Sequence, residues 1–512
     1  MNAFGLNEKQ YLQLCETCDS ILMQPDSTVE RVAISWLHII REHPVFLSQY
    51  RGLFESETAC NVLFRKWKWV LRGKLNWYFQ IVQAVFSDGR SWFGAEKLSG
   101  KVDVLFVSHL INSKYAGQED DFYFGEMPEK LTESGYSVLV VLINHTDQPS
   151  SDFRDKWDNC IVPRVVLSKT IGLRSEIANH QRLKKAANVI DKIAKKTPSG
   201  LSKRVMMRAS IEALASGTHS NMRTVSQLTS LVAQFQPKTL IITHEGHAWE
   251  RLVFSAARHA CSSVKCIGYQ HAVLFRLQHA IRRNLAPEYN PNHIMTAGAS
   301  GKSELEHVSA AGGISISVLG SNRGLDRNAR IDGETFNTDQ MFPTVEGSCL
   351  VLPEGIKSEC DLLFEFSIEC ALSAPNIQFI WRLHPIISFE SLVSQNIRLQ
   401  QLPDNILISR ETFEKDITRC GFALYRGTTA IVQAVLGGLR PVYLQKKDEM
   451  TIDPLYRMNK VRAKVSTIIE FLDIVNNDKK QLLTQDDKVS AIKCCADLFA
   501  PFELRVLQDA LA

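Results

Sequence analysis

Short apolar runs, several of them rich in β-branched residues, recur along this chain between stretches of helical periodicity. Val102-Asp103-Val104-Leu105-Phe106-Val107, Ser137–Ile143, Thr239–Thr243, Val264–Tyr269, His293–Ala297 and Ser315–Leu319 form one series. Cys349-Leu350-Val351-Leu352, Ile377–Trp381, Ile406–Ser409, Phe422–Tyr425 and Pro441-Val442-Tyr443-Leu444 form another. Runs this short suit strands covered on both faces, and their alternation with helices implies parallel sheets made of βαβ units. Helical spacing is read over Glu126–Ser134, with Gly135 as its stop, Ser175–Lys195, Ser202–Ala233, Trp249–Ala260, Glu359–Leu372, Ala430–Leu436, Ser466–Val475 and Lys488–Leu511. The first 95 or so residues read as helical, through Val29–Ile40 with Asp26 or Ser27 as cap and again through Asn61–Phe86.

At 512 residues the chain is too long for one ordinary core. The fold class expected is α/β: two Rossmann-like domains facing a cleft, behind an N-terminal helical extension. The expected boundaries are 1–95 for the extension, 96–320 for the N-terminal domain and 321–347 for a linker poor in periodicity. Residues 348–480 make the C-terminal, nucleotide-binding domain, and 481–512 a closing helix. Hydrophobic content of 45% and charged content of 22% are those of a globular protein. A net charge of +4 suits anionic ligands but is too small to argue for nucleic acid. Twelve cysteines are scattered, and Cys15-x-x-Cys18 has no second pair at zinc spacing, so reduced thiols are expected. Met1 to Gln10 lack a basic and apolar leader, and no apolar run approaches the length of a membrane span. A cytoplasmic protein is expected.

The segment Lys66–Phe79 mixes cations with Trp, Tyr and Phe. It can lie on anionic lipid, but the expectation is an ordinary amphipathic helix with tryptophan in the core and Lys and Arg in solvent.

Ligands of open α/β sheets bind beyond the carboxyl ends of strands. In the second series those ends carry Arg382-Leu383-His384-Pro385, Arg426-Gly427-Thr428-Thr429 and Glu354-Gly355. A histidine, two arginines, hydroxyls and a helix start form a candidate phosphate site, with Pro385 fixing the turn. Taken singly, His384 also reads as a structural histidine and Thr428-Thr429 as a helix cap. In the first series Glu245 ends a strand beside Gly246 and two histidines, and can serve as base or nucleophile; helix capping is its structural reading. Glu250 is the weaker candidate, being inside the helix. His271 ends the next strand, and Ser108-His109 end the first, so both approach the same cleft, with His247 on the acceptor side. Glu119-Asp120-Asp121 read as a solvated loop rather than a metal site, and His244, His247 and His271 lack the spacing of a zinc set built on one helix.

His244-Glu245-Gly246, His384-Pro385 and Thr428-Thr429, in that order and at matching strand ends, resemble the GT-B glycosyltransferases of bacterial surface-polysaccharide assembly. The likeness is to users of CMP-sugars, the sialyltransferases and the Kdo transferases of capsule and O-antigen, with their acidic "D/E-D/E-G", "HP" and paired Ser/Thr elements. It spans about residues 100–450 and departs at His244, which replaces the first acid. Glu245–Arg251 and Gly268–His271 also look like a family of surface-carbohydrate biosynthesis proteins. The resemblance implies transfer of a sugar, a 2-keto acid such as Kdo from a CMP-sugar, to a growing capsule or lipopolysaccharide glycan. His384 with Thr428 or Thr429 would hold the donor phosphate, and Glu245 would act on the acceptor or as nucleophile. The nucleotide-sugar is then a co-substrate, with no cofactor and no metal required. The acceptor would be a glycan or lipid-linked glycan, which leaves room for peripheral contact with the inner membrane. A UDP- or GDP-hexose donor, CDP-glycerol, or a non-catalytic nucleotide-sugar-binding partner subunit are the alternatives.

Overall fold

The computed structural model describes residues 5–24, 27–55, 59–96, 98–323, 347–477 and 484–511. Its first sheet holds β1 (Trp92–Phe93), β2 (Val104–Leu110), β3 (Val138–Asn144), β4 (Arg164–Leu167), β5 (Thr239–Thr243), β6 (Lys265–Gln270), β7 (His293–Thr296) and β8 (Ser315–Val318), in the order β1-β4-β3-β2-β5-β6-β7-β8. The second holds β9 (Ser348–Leu352), β10 (Gln378–Trp381), β11 (Ile406–Ile408), β12 (Phe422–Tyr425), β13 (Arg440–Leu444) and β14 (Ala463–Val465), in the order β11-β10-β9-β12-β13-β14. Every pairing is parallel except β1 with β4. Strands β5, β9, β12 and β13 are buried along their whole length. Apolar clusters cover both faces of each sheet, which is why these strands read as continuous apolar runs rather than alternating ones.

The chain reverses its winding direction between β2 and β5 in one sheet and between β9 and β12 in the other. A crevice opens outside the carboxyl ends at such a switch point. The two crevices face each other, giving the expected GT-B arrangement of two Rossmann-like domains across a cleft.

Several elements differ from the sequence reading for identifiable reasons. The stretch 29–40 is α-helical only over Val29–Val32, capped by Thr28, with a 3-10 turn at Ser35–Leu37; the proposed cap Asp26 lies outside the described residues. Asn221 donates to the Ala33 carbonyl at 2.8 Å and to the Ser35 hydroxyl at 2.8 Å, taking up an acceptor that a continuing helix needs. Residues 202–233 form two helices, Leu201–Glu212 and Ser216–Phe235, with the Glu212 carbonyl accepting the Thr218 hydroxyl at 2.7 Å. The short strands β1 and β14 and the helix Ala299–Ala311 carry little apolar pattern and were not legible, whereas β4 has an apolar run, Val165-Val166-Leu167, that the strand series read from the sequence leaves out. Most of the proposed linker, 324–346, lies outside the described residues.

The closing helix is broken as well, into Gln485–Leu498 and Leu504–Leu511. Between them the Ala500 N–H donates to the Ala297 carbonyl at 2.8 Å, and the Ala500 carbonyl accepts the Ser321 N–H at 2.8 Å. Pro501 has no N–H to continue a helix. The first helix packs Ala491 and Cys495 into the second domain. The second returns to the first domain, where Leu507 is fully buried among Phe124, Met127 and Leu131. This tail straps the two domains together. Leu507→Ala should cost about 3 kcal/mol, the usual cost of an aliphatic cavity, read as a lower midpoint in denaturant unfolding; a midpoint unchanged within error would show the strap carries no load.

Candidate functional site

The loop after β5 is built by one buried carboxylate. Glu250, in the first turn of the helix Ala248–Ala260, accepts the N–H groups of Glu245 at 2.9 Å, Gly246 at 2.7 Å and His247 at 2.9 Å. His244 Nδ1 lies 3.2 Å from the same carboxylate. Gly246 has φ +90°, and a Cβ there would come 2.3 Å from the Ala280 carbonyl carbon, so no other residue fits the turn. Glu250 therefore does the capping considered for Glu245, whose side chain is left to face the cleft. Its Oε2 meets His247 Nε2 at 3.3 Å. Burial raises the Glu245 pKa, but the His247 hydrogen bond and the nearby charges of His271, His247 and Arg41 outweigh it and hold the carboxyl at about 2. Burial lowers the His247 pKa; its bond to Glu245 and the charges of Glu250 and Glu245 more than offset this and raise it.

Around this pair, His271 is pushed down chiefly by burial, its Nδ1 is buried without a hydrogen-bond partner among the described residues, and its ring meets Tyr123 edge-on at 4.7 Å. His109 sits between His145 at 2.9 Å and the Thr243 hydroxyl at 3.2 Å. Burial first, then His145, His271 and His247, keep it well below its ordinary pKa. Ser108 is different: it is fully buried and donates to Asp121 at 2.8 Å. Asp121 also accepts the Tyr123 and Phe124 N–H groups, each at 2.9 Å. These two residues hold the β2 loop, so Ser108 is not on the acceptor surface and Asp121 is not a solvated acid.

On the opposite wall, His384 Nδ1 accepts the Ile386 N–H at 3.4 Å. Burial lowers its pKa, which favours a neutral ring carrying its proton on Nε2. Gly427 has φ +66°, and a Cβ there would lie 2.3 Å from Glu354 Oε1. Thr428 is buried, with its hydroxyl accepting the Ala430 N–H at 3.4 Å, and Thr429 precedes the helix Ala430–Leu436. A cavity of about 900 Å³ is lined from one wall by Glu245, His247 and His271 and from the other by Glu354, Gly355, His384, Gly427, Thr428 and Thr429. A second of about 900 Å³ adjoins it at Glu245, His247 and His271 and extends to His109 and His145.

Two arginines assigned to phosphate from their strand positions are used elsewhere. Arg426 is 1% exposed and bonds Glu359 Oε2 at 2.6 Å, Glu449 and the Leu444 carbonyl. Arg382 turns to Asp416 at 2.8 Å and the Glu411 carbonyl at 2.8 Å. Arg382 lies just past the end of β10 and is drawn off by the buried Asp416. Pro385 is exposed in the turn after His384.

Sequence reasoning missed three contributors. Arg41 and His43 come from the N-terminal extension and bond Glu354 at 3.2 and 2.9 Å. Nothing in their local sequence signals this. His43, Glu354 and Glu359 bring one ligand atom each within 4.8 Å of one another, yet Arg41 and Arg426 already neutralise those two carboxylates. The third is Arg323, at the end of the first domain. Its Nη1 is 3.5 Å from the Thr429 hydroxyl, its charge is felt by His271 and His384, and among the described residues no carboxylate pairs with it.

No family model matches the chain, and no curated protein matches it. Among solved structures, the glycotransferase of kitacinnamycin is 10% identical over 81% of this chain and 100% of its own, with a TM-score of 0.47. A putative UDP-N-acetylglucosamine 2-epimerase from Listeria monocytogenes is 11% identical over 80% and 96%, at 0.46. The spinosyn rhamnosyltransferase complexed with thymidine diphosphate is 13% identical over 80% and 99%, at 0.44.

Glu250→Ala should cost about 2–4 kcal/mol, since three backbone donors and His244 lose their acceptor together. Thermal unfolding of the purified variant reads this, and a change below about 0.5 kcal/mol would remove Glu250 as the organiser of the loop.

Proposed function

We propose that the protein is a glycosyltransferase that takes a nucleotide-activated sugar in the C-terminal domain and transfers the sugar to an acceptor held against the N-terminal domain. The observation that carries this is the facing of Glu245 with His384, Thr428 and Thr429 across one cavity, each held by its own strand end. A carboxylate opposite a set of neutral and cationic donors is what displacement of a phosphate by a hydroxyl needs.

In this reading His384 Nε2–H, the Thr428 and Thr429 hydroxyls and Arg323 bind the donor phosphate. The acceptor oxygen bonds to the anomeric carbon as the bond from that carbon to the phosphate oxygen breaks. The electron pair leaves with the phosphate, whose growing charge Arg323 and His384 stabilise. The acceptor proton passes to Glu245 Oε1 while His247 Nε2–H holds Oε2. An ionised Glu245 is equally suited to attack the anomeric carbon itself as the nucleotide phosphate leaves, after which the acceptor oxygen displaces the carboxylate and gives its proton to the departed phosphate. A carboxyl near 2 is a permanent anion at neutral pH, so its part is that of base or nucleophile and not of acid. His271 and His109 are placed to hydrogen-bond the acceptor.

For the donor we propose a CMP-linked 2-keto sugar acid, on the ordered His-Glu-Gly, His-Pro and Thr-Thr elements. Such a donor carries one phosphate and one sugar carboxylate, and Arg323 gives this anion a counter-charge that no protein carboxylate claims among the described residues. A UDP- or GDP-hexose, or CDP-glycerol, is the competing donor, and thermal-shift titration with CMP, CDP, UDP and GDP separates them. A non-catalytic binder is disfavoured by the Glu245 carboxylate, which His247 holds by one oxygen while it lines the cleft.

Glu245→Gln should lower kcat at least about 100-fold with nucleotide affinity kept; turnover retained would exclude it from the chemistry. Arg323→Ala should weaken nucleotide binding by about 1.5–3 kcal/mol in calorimetry, the range of a charge-assisted bond, and unchanged affinity would take Arg323 out of the site. The pH dependence has a defined sign. Activity needs Glu245 ionised, so its acid limb lies below the ordinary carboxylate value of 4.5. His247→Ala removes a group that lowers that pKa, so the limb should move up in pH; a limb that stays in place would contradict the pairing.

A further inference from the structure

The helix Ala59–Val85 rests on the first domain by one face only. Gln80 donates to the Lys169 carbonyl at 3.1 Å, Trp77 stacks on His180 at 4.2 Å, the Trp69 ring receives the Arg208 guanidinium, and Ala84 is buried. The other face is exposed and mostly apolar, with Lys68 the one cation within it among the described residues. Trp67 is 67% exposed, Phe79 68% and Phe86, just past the helix end, 86%, with Leu71, Leu75 and Tyr78 between them also exposed. At 100° per residue these side chains fall within an arc of roughly 120°, opposite Gln80, Trp77 and Ala84. The expectation of a helix with an apolar core side and a charged solvent side therefore fails here. The tryptophans divide between the two faces, and the outer one is the more apolar.

Charge says what covers it. From Ala59 to Phe86 the chain has five cations, Arg65, Lys66, Lys68, Arg72 and Lys74, and no Asp or Glu. Lys68, Arg72 and Lys74 are exposed, and by the same helical geometry Arg72 and Lys74 flank the stripe on its two sides. A second copy seated on this face would set two acid-free cationic helices together. An aromatic stripe edged by cations matches the boundary between acyl chains and anionic headgroups.

We propose that this helix docks the protein on an anionic lipid bilayer. The cleft cavity reaches the helix too: Trp69, Arg72 and Asn76 line it along with Glu245 and Thr428. The cleft thus opens beside the docked helix, and the acceptor is a lipid-anchored glycan that enters from the bilayer surface. This acceptor assignment rests on the transferase reading; the docking does not.

Flotation of the full chain with vesicles tests it. Wild type should bind vesicles containing roughly a third phosphatidylglycerol at least about tenfold more tightly than pure phosphatidylcholine, less so as salt rises. The double variant L75E/F79E should lose that binding at an unchanged thermal midpoint, because both side chains are already in water. Equal binding to the two vesicle types, or no binding to either, overturns the docking, and this arm needs no variant. So does a wild-type dimer in sedimentation that L75E/F79E dissolves, which would assign the face to self-association. Vesicle binding without transfer to a lipid-linked acceptor, where a soluble glycan is glycosylated, keeps the docking and overturns the acceptor class. Absence of transfer to both, with docking intact, overturns the transferase reading instead.

Discussion

The carboxylate of Glu250 is the contact on which the rest depends. It is almost completely buried and collects three successive backbone N–H groups, those of Glu245, Gly246 and His247. With those donors its buried oxygens have hydrogen-bond partners, so the loop folds over it without leaving a buried polar group unmet. The result is a sharp strand-to-helix turn that only glycine at 246 can make and that leaves one carboxylate, Glu245, projecting where two sheets meet. A buried acid that builds the loop thus frees an accessible one for chemistry.

The cleft is closed by segments from both chain ends. Arg41 and His43 reach Glu354 in the second domain from the N-terminal extension, while Arg41 also lies over Phe275 in the first, 4.5 Å from its ring centroid. At the other end, Leu504–Leu511 crosses back and buries Leu507 in the first domain. The two domains are therefore tied at two places, and the walls of the cavity come from many separate stretches of sequence, from Ser35 to Thr429. Glu354, which reads as a ligand contact from its strand end, is shared between that tie and the cavity wall.

Much of this architecture was legible because fully buried parallel strands leave continuous apolar runs. The runs at Thr239–Thr243 and Phe422–Tyr425 give those strands residue for residue. Strands at sheet edges, such as Trp92–Phe93 and Ala463–Val465, have too few apolar residues to show. Strand ends also located Glu245, His384 and Thr428, but not the direction of their neighbours. Arg382, Arg426 and Ser108 occupy the right ends, yet are claimed by Asp416, by Glu359 and Glu449, and by Asp121. Those partners lie at least 13 positions away in sequence and are brought near only by folding. Arg323 was hidden for the converse reason, since one of several arginines in an aperiodic segment has no pattern to single it out. Glu250 alone had a local signal, its place three residues after His247 at a helix start.

The central claim is that a sugar donor lies with its phosphate on one wall and its anomeric carbon toward Glu245 on the other. A structure of the protein with CMP, or with the other nucleotide that binds most tightly, tests it directly. The account predicts the phosphate within hydrogen-bond distance of His384, of Thr428 or Thr429, and of Arg323, with open cavity between it and the Glu245 carboxylate large enough for a sugar ring. A nucleotide bound outside this cavity, or one whose phosphate meets none of those side chains, would contradict it.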